Sequence, residues 1–241
     1  MTCLDLTCSS IAENLALDEA LLIEADAGRG DRTLRFWEPA DFAVVLGASR
    51  RIDVDVRLGA CRADGVPILR RTSGGGTVVV GPGTLNVTVI LPESAAPGLN
   101  TVPGAHHYVL DWIARSIRSA GPAVALDGLG DLVIEGRKFG GSAQRRLRHW
   151  FMVHCSILHD FPIDRIVRYL TIPLRQPAYR QGRDHRDFLR NLSLPRNILV
   201  DAIRGDCLRG SPSQPGQSVP WGVVQTLLSE KFANQAWIER F

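Results

Sequence analysis

Two short stretches of this chain carry the residue types best suited to chemistry. The first runs from Arg70 to Asn86 and reads RRTSGGGTVVVGPGTLN, in which two arginines precede a run of three glycines. Glycine allows the backbone to approach a ligand closely and to turn its N–H groups toward an anion. Arginine at the mouth of such a loop is suited to a phosphate or a carboxylate. The stretch therefore predicts a binding site for an anionic group.

The second stretch, EGRKFGGSAQ, contains Lys138. Among 28 basic residues, only Lys138 and Lys231 are lysines, and the other 26 are arginines. A preference for arginine codons explains this ratio, but it does not explain why a lysine stands inside this motif. Lysine places a compact point charge on a flexible stem, and a planar guanidinium cannot replace it. We therefore predict that Lys138 acts directly in catalysis.

Neither stretch matches the common nucleotide-binding loops. The GxxxxGK[ST] spacing of a P-loop is missing, and so is the GxGxxG arrangement that opens a helix in dinucleotide-binding folds. The residues after the three glycines are typical of a strand instead. Taken alone, the SGGG run fits a glycine-rich β-turn with solvated arginines as well as it fits a binding site.

The periodicity of apolar residues predicts the elements around these stretches. Ser10 and Glu13 have the spacing of a capping box, which predicts a helix over residues 11–27. Further helices are predicted over residues 53–63, over an amphipathic segment that ends at Gly121, and over residues 163–170, 197–204 and 223–232. Strands are predicted over residues 34–37, 43–46, 66–69, 85–91, 132–135, 137–147 and 151–158.

Strands dominate the middle of the chain without a strict alternation of strand and helix, which argues against a doubly wound dinucleotide fold. We predict an α+β fold with a mixed, largely antiparallel sheet flanked by helices. In the strand over residues 85–91, the apolar Leu85, Val87 and Val89 share one face. Asn86 then points to the opposite face, toward the predicted site.

Four segments together resemble the lipoate-protein ligase A family, which is related to octanoyltransferases and more distantly to biotin-protein ligases. They follow one another in the family's order and cover most of residues 10–170. The segments are NLALDEALL, RRTSGGGTVVVGPGTLN, EGRKFGGSAQRR and FMVHCSILHDF. The resemblance implies the catalytic-domain fold of the biotin and lipoyl protein ligases, with an acyl chain in an apolar tunnel beside the SGGG loop.

The resemblance also implies a set of site residues. Lys138 is the implied catalytic residue, close to the carbonyl of an acyl-adenylate or acyl-thioester. The implied acyl- and adenylate-binding residues are Arg70, Arg71, Ser73, Gly74, Gly75, Gly76, Asn86, Gly141, Ser142, Ala143 and His154. Glycines can open a slot for a lipoyl or octanoyl chain, and cationic donors stabilise the negative charge that develops at its carbonyl.

The implied function is attachment of lipoyl or octanoyl groups to a specific lysine of a lipoyl carrier domain, through an acyl-adenylate made from ATP. Magnesium would accompany ATP, and no protein metal site is predicted. The implied acceptors are the lipoyl domain of a 2-oxoacid dehydrogenase and the glycine cleavage H protein. One alternative is an octanoyl or lipoyl transferase that takes its acyl group from an acyl carrier protein or another protein-bound donor. A second is a non-catalytic module that binds a lipoyl ligand or a carrier protein.

Cysteine placement bears on the choice between ligase and transferase, because the transferases pass the acyl group through an enzyme cysteine. The segment upstream of the GRK motif, where some of these transferases have that cysteine, contains none. Cys155 stands where the family usually has a glycine. On a regular strand Cys155 and His154 point to opposite faces, so we leave Cys155 out of the predicted site.

Two departures from the family weaken the prediction of ATP use. Residues 81–83 read GPG where many ligases have a histidine and an aspartate. The chain is also too short to hold the C-terminal accessory domain of long ligases, so a separate accessory subunit is an expected partner. We predict a catalytic domain over residues 1–205, followed over 206–241 by a linker and a helical tail.

Two further features do not define a site from the sequence alone. His149, His154 and His159 alternate faces on a strand, so a metal triad is not predicted. Residues 175–191 are rich in arginine, which fits a capping loop, a phosphate or RNA contact, or docking of an acidic carrier domain.

Bulk properties exclude several classes of protein. The net charge of +3 is too small to indicate nucleic-acid binding. The five cysteines are scattered along the chain, which predicts free thiols. Neither a membrane span nor a signal peptide is predicted, so the expected location is the cytoplasm.

Overall fold

The computed structural model describes residues 1–208 and 219–241. The elements of its first part are β1 (Thr2–Asp5), α1 (Ile11–Asp26), β2 (Thr33–Trp37), β3 (Ala43–Leu46), α2 (Ile52–Asp55), α3 (Leu58–Ala63), β4 (Ile68–Arg70), β5 (Val78–Val80) and β6 (Thr84–Pro92). They are followed by α4 (Val102–Arg118), β7 (Ala125–Asp127), β8 (Asp131–Ile134), β9 (Arg137–Arg146), β10 (Trp150–Leu158), α5 (Asp164–Tyr169), α6 (His185–Phe188), α7 (Arg196–Leu208), α8 (Trp221–Leu227) and α9 (Gln235–Ile238).

The strands form two sheets. The larger has seven strands in the order β1-β2-β6-β10-β9-β8-β7, and the smaller has three in the order β4-β3-β5. Only the β1/β2 and β3/β4 pairs are parallel, and all other pairs in the described strands are antiparallel. The predicted α+β fold with a mixed, largely antiparallel sheet is confirmed.

Helices cover both faces of the large sheet and form three apolar cores with the strands. The first core lies between α4, α7 and one face of the large sheet. The second surrounds α1 and α8 and joins the other face to the small sheet. The third packs α3, α5 and α6 on the far side of the small sheet. Because α1 lies between two sheets, it is buried on nearly all sides.

A buried polar network fixes α1 against the large sheet. The predicted capping box is present: Ser10 and Glu13 each accept from the other's backbone N–H at 3.1 Å. One turn further, the guanidinium of Arg35 on β2 pairs with Asp18 at 2.5 Å, and both side chains are buried. Thr88 and Trp37 also donate to Asp18, at 2.8 and 3.3 Å. Such pairing satisfies charges that would otherwise be costly inside the core.

The prediction of one continuous helix over residues 53–63 is wrong. The segment divides into α2 and α3 because Val56 takes an extended conformation, with φ −118° and ψ 133°. Val56 is buried in the third core and pairs there with Leu170. Burial of a β-branched side chain and a tertiary bridge outweigh the helical preference of its neighbours.

The C-terminal elements pack against the rest of the chain. The predicted helices over 197–204 and 223–232 are confirmed by α7 and by α8, which continues as a π turn over Leu228–Phe232. Val224 and Phe232 join the core around α1. The predicted linker lies outside the described residues, apart from Val219 and Pro220. Every helix within the described ranges is too short or too polar to span a membrane.

Candidate active site

The predicted site residues converge on one cavity of about 1130 Å³. It lies between the glycine-rich loop, strands β9 and β10, and a segment over residues 171–189 that we call the wall segment. Ten of the twelve predicted residues line it, namely Arg71, Gly74, Gly75, Gly76, Asn86, Lys138, Gly141, Ser142, Ala143 and His154. Arg70 and Ser73 are not among its lining residues.

Arg71 holds the glycine-rich loop in shape. Its guanidinium is buried and donates to the carbonyls of Gly74 and Gly76 at 2.6 and 2.7 Å, and to Val45 at 3.3 Å. No carboxylate among the described residues pairs with it. Burial lowers the pKa of Arg71 to about 10, so it remains a cation at neutral pH. An unpaired buried cation in a cavity wall favours an anionic ligand.

Arg71, Ser73 and His154 form one hydrogen-bond chain behind the loop. The Nε of Arg71 donates to Ser73 Oγ at 3.0 Å, and Ser73 Oγ lies 2.6 Å from His154 Nε2. The serine oxygen has two lone pairs, so it can accept from Arg71 and either donate to or accept from His154 Nε2, according to the tautomer of the ring. Burial, the Arg71 charge and His106 lower the pKa of His154 to about 3. His154 is therefore uncharged at neutral pH.

This low pKa predicts a specific loss of stability in acid. In the unfolded chain His154 binds a proton below about pH 6.5, whereas in the folded protein it stays neutral down to about 3. The free energy of unfolding therefore falls as pH drops through this window, by up to about 2 kcal/mol at pH 5. Urea unfolding at pH 7.5 and pH 5 should show a smaller decrease for His154→Gln than for wild type. Equal decreases would contradict the burial of a neutral imidazole.

The structure places Arg70 behind the loop rather than at its mouth. Its side chain is fully buried and donates to the carbonyls of Gly47 at 3.0 Å, Arg50 at 2.6 Å and Ile238 at 2.9 Å. The backbone carbonyl of Arg70 accepts from Trp237 Nε1 at 3.0 Å. Arg70 thus ties the C-terminal turn to the loop that begins at Gly47.

Lys138 lies on β9 and pairs with a carboxylate inside the cavity. Its Nζ is 2.6 Å from Asp131 Oδ1, and the other oxygen of Asp131 accepts from the Tyr179 hydroxyl at 2.7 Å. Burial and the neighbouring Asp131 raise the pKa of Tyr179, so the hydroxyl stays protonated and keeps donating. A Cβ added to Gly141 would lie 2.7 Å from Lys138 Nζ. The absence of a side chain at Gly141 is what allows the lysine to fold across β9.

The other predicted residues on β9 shape the wall opposite the loop. Ser142 Oγ donates to the Gly130 carbonyl at 3.0 Å and contacts His106 Nδ1 at 3.0 Å. A Cβ added to Gly75, which has φ +85°, would lie 3.6 Å from the Cβ of Ala143. The glycine-rich loop therefore packs directly on this strand.

One part of the cavity is apolar and lies beside α1. Leu15, Trp37, Val45 and Val80 contribute to it from the core around that helix. Asn86 lines the cavity as predicted, and its Oδ1 accepts from Ser156 Oγ at 2.7 Å. This part offers an unbranched apolar chain a slot with few unsatisfied polar groups.

Cys155 points away from the cavity, as its alternation with His154 predicts. It is 1% exposed and lies in the core beneath α4. Burial raises the pKa of its thiol to about 12, so the reactive thiolate is scarcely populated at neutral pH. The described cysteines are free, Cys207 lies outside the described side chains, and none of the described cavity-lining residues is a cysteine.

The arginine-rich stretch over residues 175–191 forms part of the wall segment. Arg180 is buried and donates to the carbonyl of Arg183 at 2.9 Å, and Arg183 donates back to Arg180 at 3.0 Å. Arg186 and Arg190 pair with Asp164 and Glu135, each at 2.7 Å. These four arginines therefore contact protein groups.

The sequence predictions did not include Asp131 or Tyr179. A signal for Asp131 was present: Glu135 and Gly136 form a two-residue hairpin turn with φ of 52° and 69°. That turn pairs β8 with β9 and sets Asp131 opposite Gly141, over which Lys138 folds. Tyr179 reaches the site from a distant irregular segment, and no local pattern indicates it.

Two known proteins resemble this chain in sequence. The chain is 28% identical over 189 residues to the protein named probable lipoate-protein ligase A of Mycoplasma pneumoniae, covering 76% of this chain and 54% of that protein. It is 29% identical over 178 residues to octanoyltransferase LipM of Staphylococcus aureus, covering 64% of this chain and 63% of that one. It thus spans about half to three-fifths of the length of these relatives.

A solved structure and a family model complete the comparison. The structure of a bi-partite lipoate protein ligase from Thermoplasma acidophilum, described with its E2 lipoyl domain, has the same fold, with a TM-score of 0.83 at 19% identity. The match covers 100% of this chain and 96% of that one. The family model of the lipoyl protein ligase A/B catalytic domain matches residues 10–209. The chain therefore belongs to the lipoyl protein ligase A/B catalytic domain family.

Proposed function

We propose that this protein attaches lipoyl or octanoyl groups to a lysine of a lipoyl carrier domain, in two steps that pass through an acyl-adenylate made from ATP. The observation that carries the proposal is the composition of one cavity. It joins an apolar slot, a glycine loop folded around the unpaired Arg71 cation, and the ammonium of Lys138. On this proposal residues 1–205 form the catalytic domain.

The first step joins the acid to the nucleotide. A carboxylate oxygen of lipoate or octanoate attacks the α-phosphorus of ATP, a phosphoanhydride bond breaks, and pyrophosphate leaves. Negative charge develops on the phosphoryl oxygens, where Arg71 and the loop N–H groups can stabilise it without reorganising. A cavity of about 1130 Å³ is large enough for an acyl-adenylate.

The second step transfers the acyl group. The neutral amine of the acceptor lysine attacks the acyl carbonyl, the bond to phosphate breaks, AMP leaves, and the amine loses a proton to water. The carbonyl oxygen becomes negative during the attack. Lys138 stabilises that charge, and the Asp131 carboxylate, held by Tyr179, keeps the ammonium in position.

Magnesium would enter with ATP as the counterion of its phosphates. The cavity supplies suitable donors, since Asp127 lines it with one carboxylate oxygen held by the Gly128 N–H at 2.7 Å. Magnesium sites of this kind use one or two carboxylates together with substrate phosphates. Asp127 would therefore hold the ion, which would neutralise phosphate charge.

Transfer from an octanoyl carrier protein is the second candidate, because several relatives are named octanoyltransferases. That route needs an enzyme thiolate to hold the acyl group. Cys155 is buried with a pKa of about 12 and lies on the opposite face of β10 from His154. These observations favour the route through ATP.

The expected acceptors are the lipoyl domain of a 2-oxoacid dehydrogenase or the glycine cleavage H protein. The Thermoplasma neighbour, bi-partite and described with an E2 lipoyl domain, supports such a partner and a separate accessory subunit. The test is to incubate the protein with an apo lipoyl domain and either lipoate, ATP and magnesium, or octanoyl carrier protein. The intact mass of the lipoyl domain should increase by one lipoyl group with lipoate, ATP and magnesium. An increase only with carrier protein would overturn the ligase proposal.

Gly141→Ala tests the placement of Lys138. The new methyl would contact the end of the lysine side chain and push its ammonium away from Asp131. A shift of about 1 Å in a catalytic group can cost about 100-fold in rate, so the transfer rate should fall by roughly 10- to 100-fold. Thermal unfolding should change little because the displaced atoms are flexible.

The matched control for this variant is Gly222→Ala, whose new methyl meets no atom within 4 Å. It should retain the wild-type rate. A Gly141→Ala protein with wild-type transfer would show that Lys138 does not act from its observed position.

A further inference from the structure

We propose that the rim of the cavity is the docking surface for the acceptor domain, and that Leu129, Leu174 and Arg175 contact the residues on either side of the acceptor lysine. This rests on the proposed function, because it concerns the second substrate of the same site. It adds which part of the surface recognises that substrate and the chemistry of the recognised residues.

The length of a lysine side chain requires the acceptor domain to bind at the rim of the cavity. The acyl carbonyl must lie near Lys138, inside the cavity. The acceptor lysine can extend its flexible four-carbon stem into the cavity, but the folded domain that carries it cannot follow. The residues on either side of that lysine must therefore rest on the loops that border the opening.

Two of those loops expose large apolar side chains that nothing in the described chain covers. Leu129, between β7 and β8, lines the cavity and is 85% exposed. In the wall segment, Thr171, Pro173 and Arg175 line the cavity, while Leu174 between them is 83% exposed. These are the two most exposed large apolar side chains in the described part of the chain. Exposed apolar side chains that border a functional opening are typical of an interaction site.

The two loops are joined to each other and to the catalytic lysine. A Cβ added to Gly128 would lie 3.6 Å from Pro177 Cβ, so the loops are in contact. The Tyr179 hydroxyl bridges them by donating to Asp131, which holds Lys138. A domain bound to Leu129 and Leu174 would therefore present its lysine to a rim that is fixed relative to Lys138.

Charge indicates what accompanies the apolar residues on the partner. Arg175 is exposed at the rim and forms no ion pair with a described residue, unlike Arg186 and Arg190 of the same stretch. A carboxylate next to the acceptor lysine would complement it and orient the bound domain. The occupant we infer is an acceptor domain whose lysine has an apolar residue and a carboxylate beside it.

The test separates docking from acyl activation. Leu129→Asp, Leu174→Asp and Arg175→Glu are compared with wild type using an apo lipoyl domain as acceptor, and using hydroxylamine, a small nucleophile that intercepts activated acyl groups. Ile198→Asp, at a 40% exposed position on α7, is the matched control. We expect KM for the lipoyl domain to rise at least 10-fold in each rim variant, 10-fold corresponding to about 1.4 kcal/mol. Hydroxamate formation should stay within 2-fold of wild type in Leu174→Asp, because Leu174 is not among the residues that line the cavity. Both readouts should stay within 2-fold of wild type in the control.

Three outcomes would overturn the docking proposal. The rim variants could keep the wild-type KM for the lipoyl domain, or Leu174→Asp could lose hydroxamate formation in parallel with transfer. Alternatively, the rim variants could lose self-association, measured by sedimentation, without a change in KM for the lipoyl domain. That result would assign the surface to contact with a second copy of the chain. Failure of the wild-type protein to form hydroxamate from lipoate and ATP, or from octanoyl carrier protein, is a different result. It would contradict the proposed function itself.

Discussion

Replacing Lys138 by methionine is expected to lower the rate of acyl transfer by about 100- to 1,000-fold, the usual effect of removing one donor that stabilises developing negative charge. Methionine keeps most of the length and volume of the lysine side chain and removes only its charge. The ammonium lies at the surface of the cavity beside Asp131, so the fold should persist. The rate is measured by intact mass of the acceptor domain, and the fold by thermal unfolding.

The chain supplies its own matched control in Lys231, its only other lysine. Lys231 Nζ lies 2.8 Å from Glu19 Oε1 on buried α1, and neither residue is among those that line the cavity. Lys231→Met should leave the transfer rate near wild type. It should instead lower the free energy of unfolding by roughly 3 kcal/mol, because it leaves a buried carboxylate without its partner. A Lys138→Met protein with undiminished transfer would remove that residue from the mechanism.

Gly47→Ala is expected to have the second large effect, because Gly47 supports the glycine-rich loop from behind. A Cβ at this position would lie 2.2 Å from the carbonyl oxygen of Gly75. Next to it, Ala48 N donates to the Ser73 carbonyl at 2.8 Å. Both partners are backbone, so the loop must move as a whole, and kcat/KM should fall by about 100-fold or more.

Gly59→Ala is the control for this substitution. A Cβ at Gly59, within α3, meets no atom within 4 Å, and alanine favours helix by about 1 kcal/mol over glycine. Its activity should equal wild type and its stability should be unchanged or higher. If Gly47→Ala kept full activity while folding normally, the loop would not need the position in which the structure holds it.

Much of the site could be predicted from the sequence because its residues lie in local patterns. The glycine run, the lysine motif and the alternation of His154 with Cys155 each occupy a few adjacent positions. Arg70 shows where such reasoning ends. Two adjacent arginines look equivalent in a sequence, yet Arg71 borders the cavity and Arg70 turns behind the loop to reach Ile238.

The fold could be predicted where elements are set by their own periodicity. Short strands such as β1 and β7 could not, since they exist through pairing with β2 and β8 rather than through their own composition. Tyr179 could not be predicted for a similar reason. Its contact with Asp131 joins residues 48 positions apart through an irregular segment.

The most direct test of the proposed acyl-adenylate route is to detect the intermediate in the absence of any acceptor. The protein is mixed with lipoate, ATP and magnesium, quenched within one turnover, and its small molecules and intact mass are measured. We expect lipoyl-AMP in an amount close to that of the enzyme, with the mass of the protein itself unchanged. A lack of lipoyl-AMP, together with an octanoyl adduct on Cys155 after mixing with octanoyl carrier protein, would contradict the route through ATP.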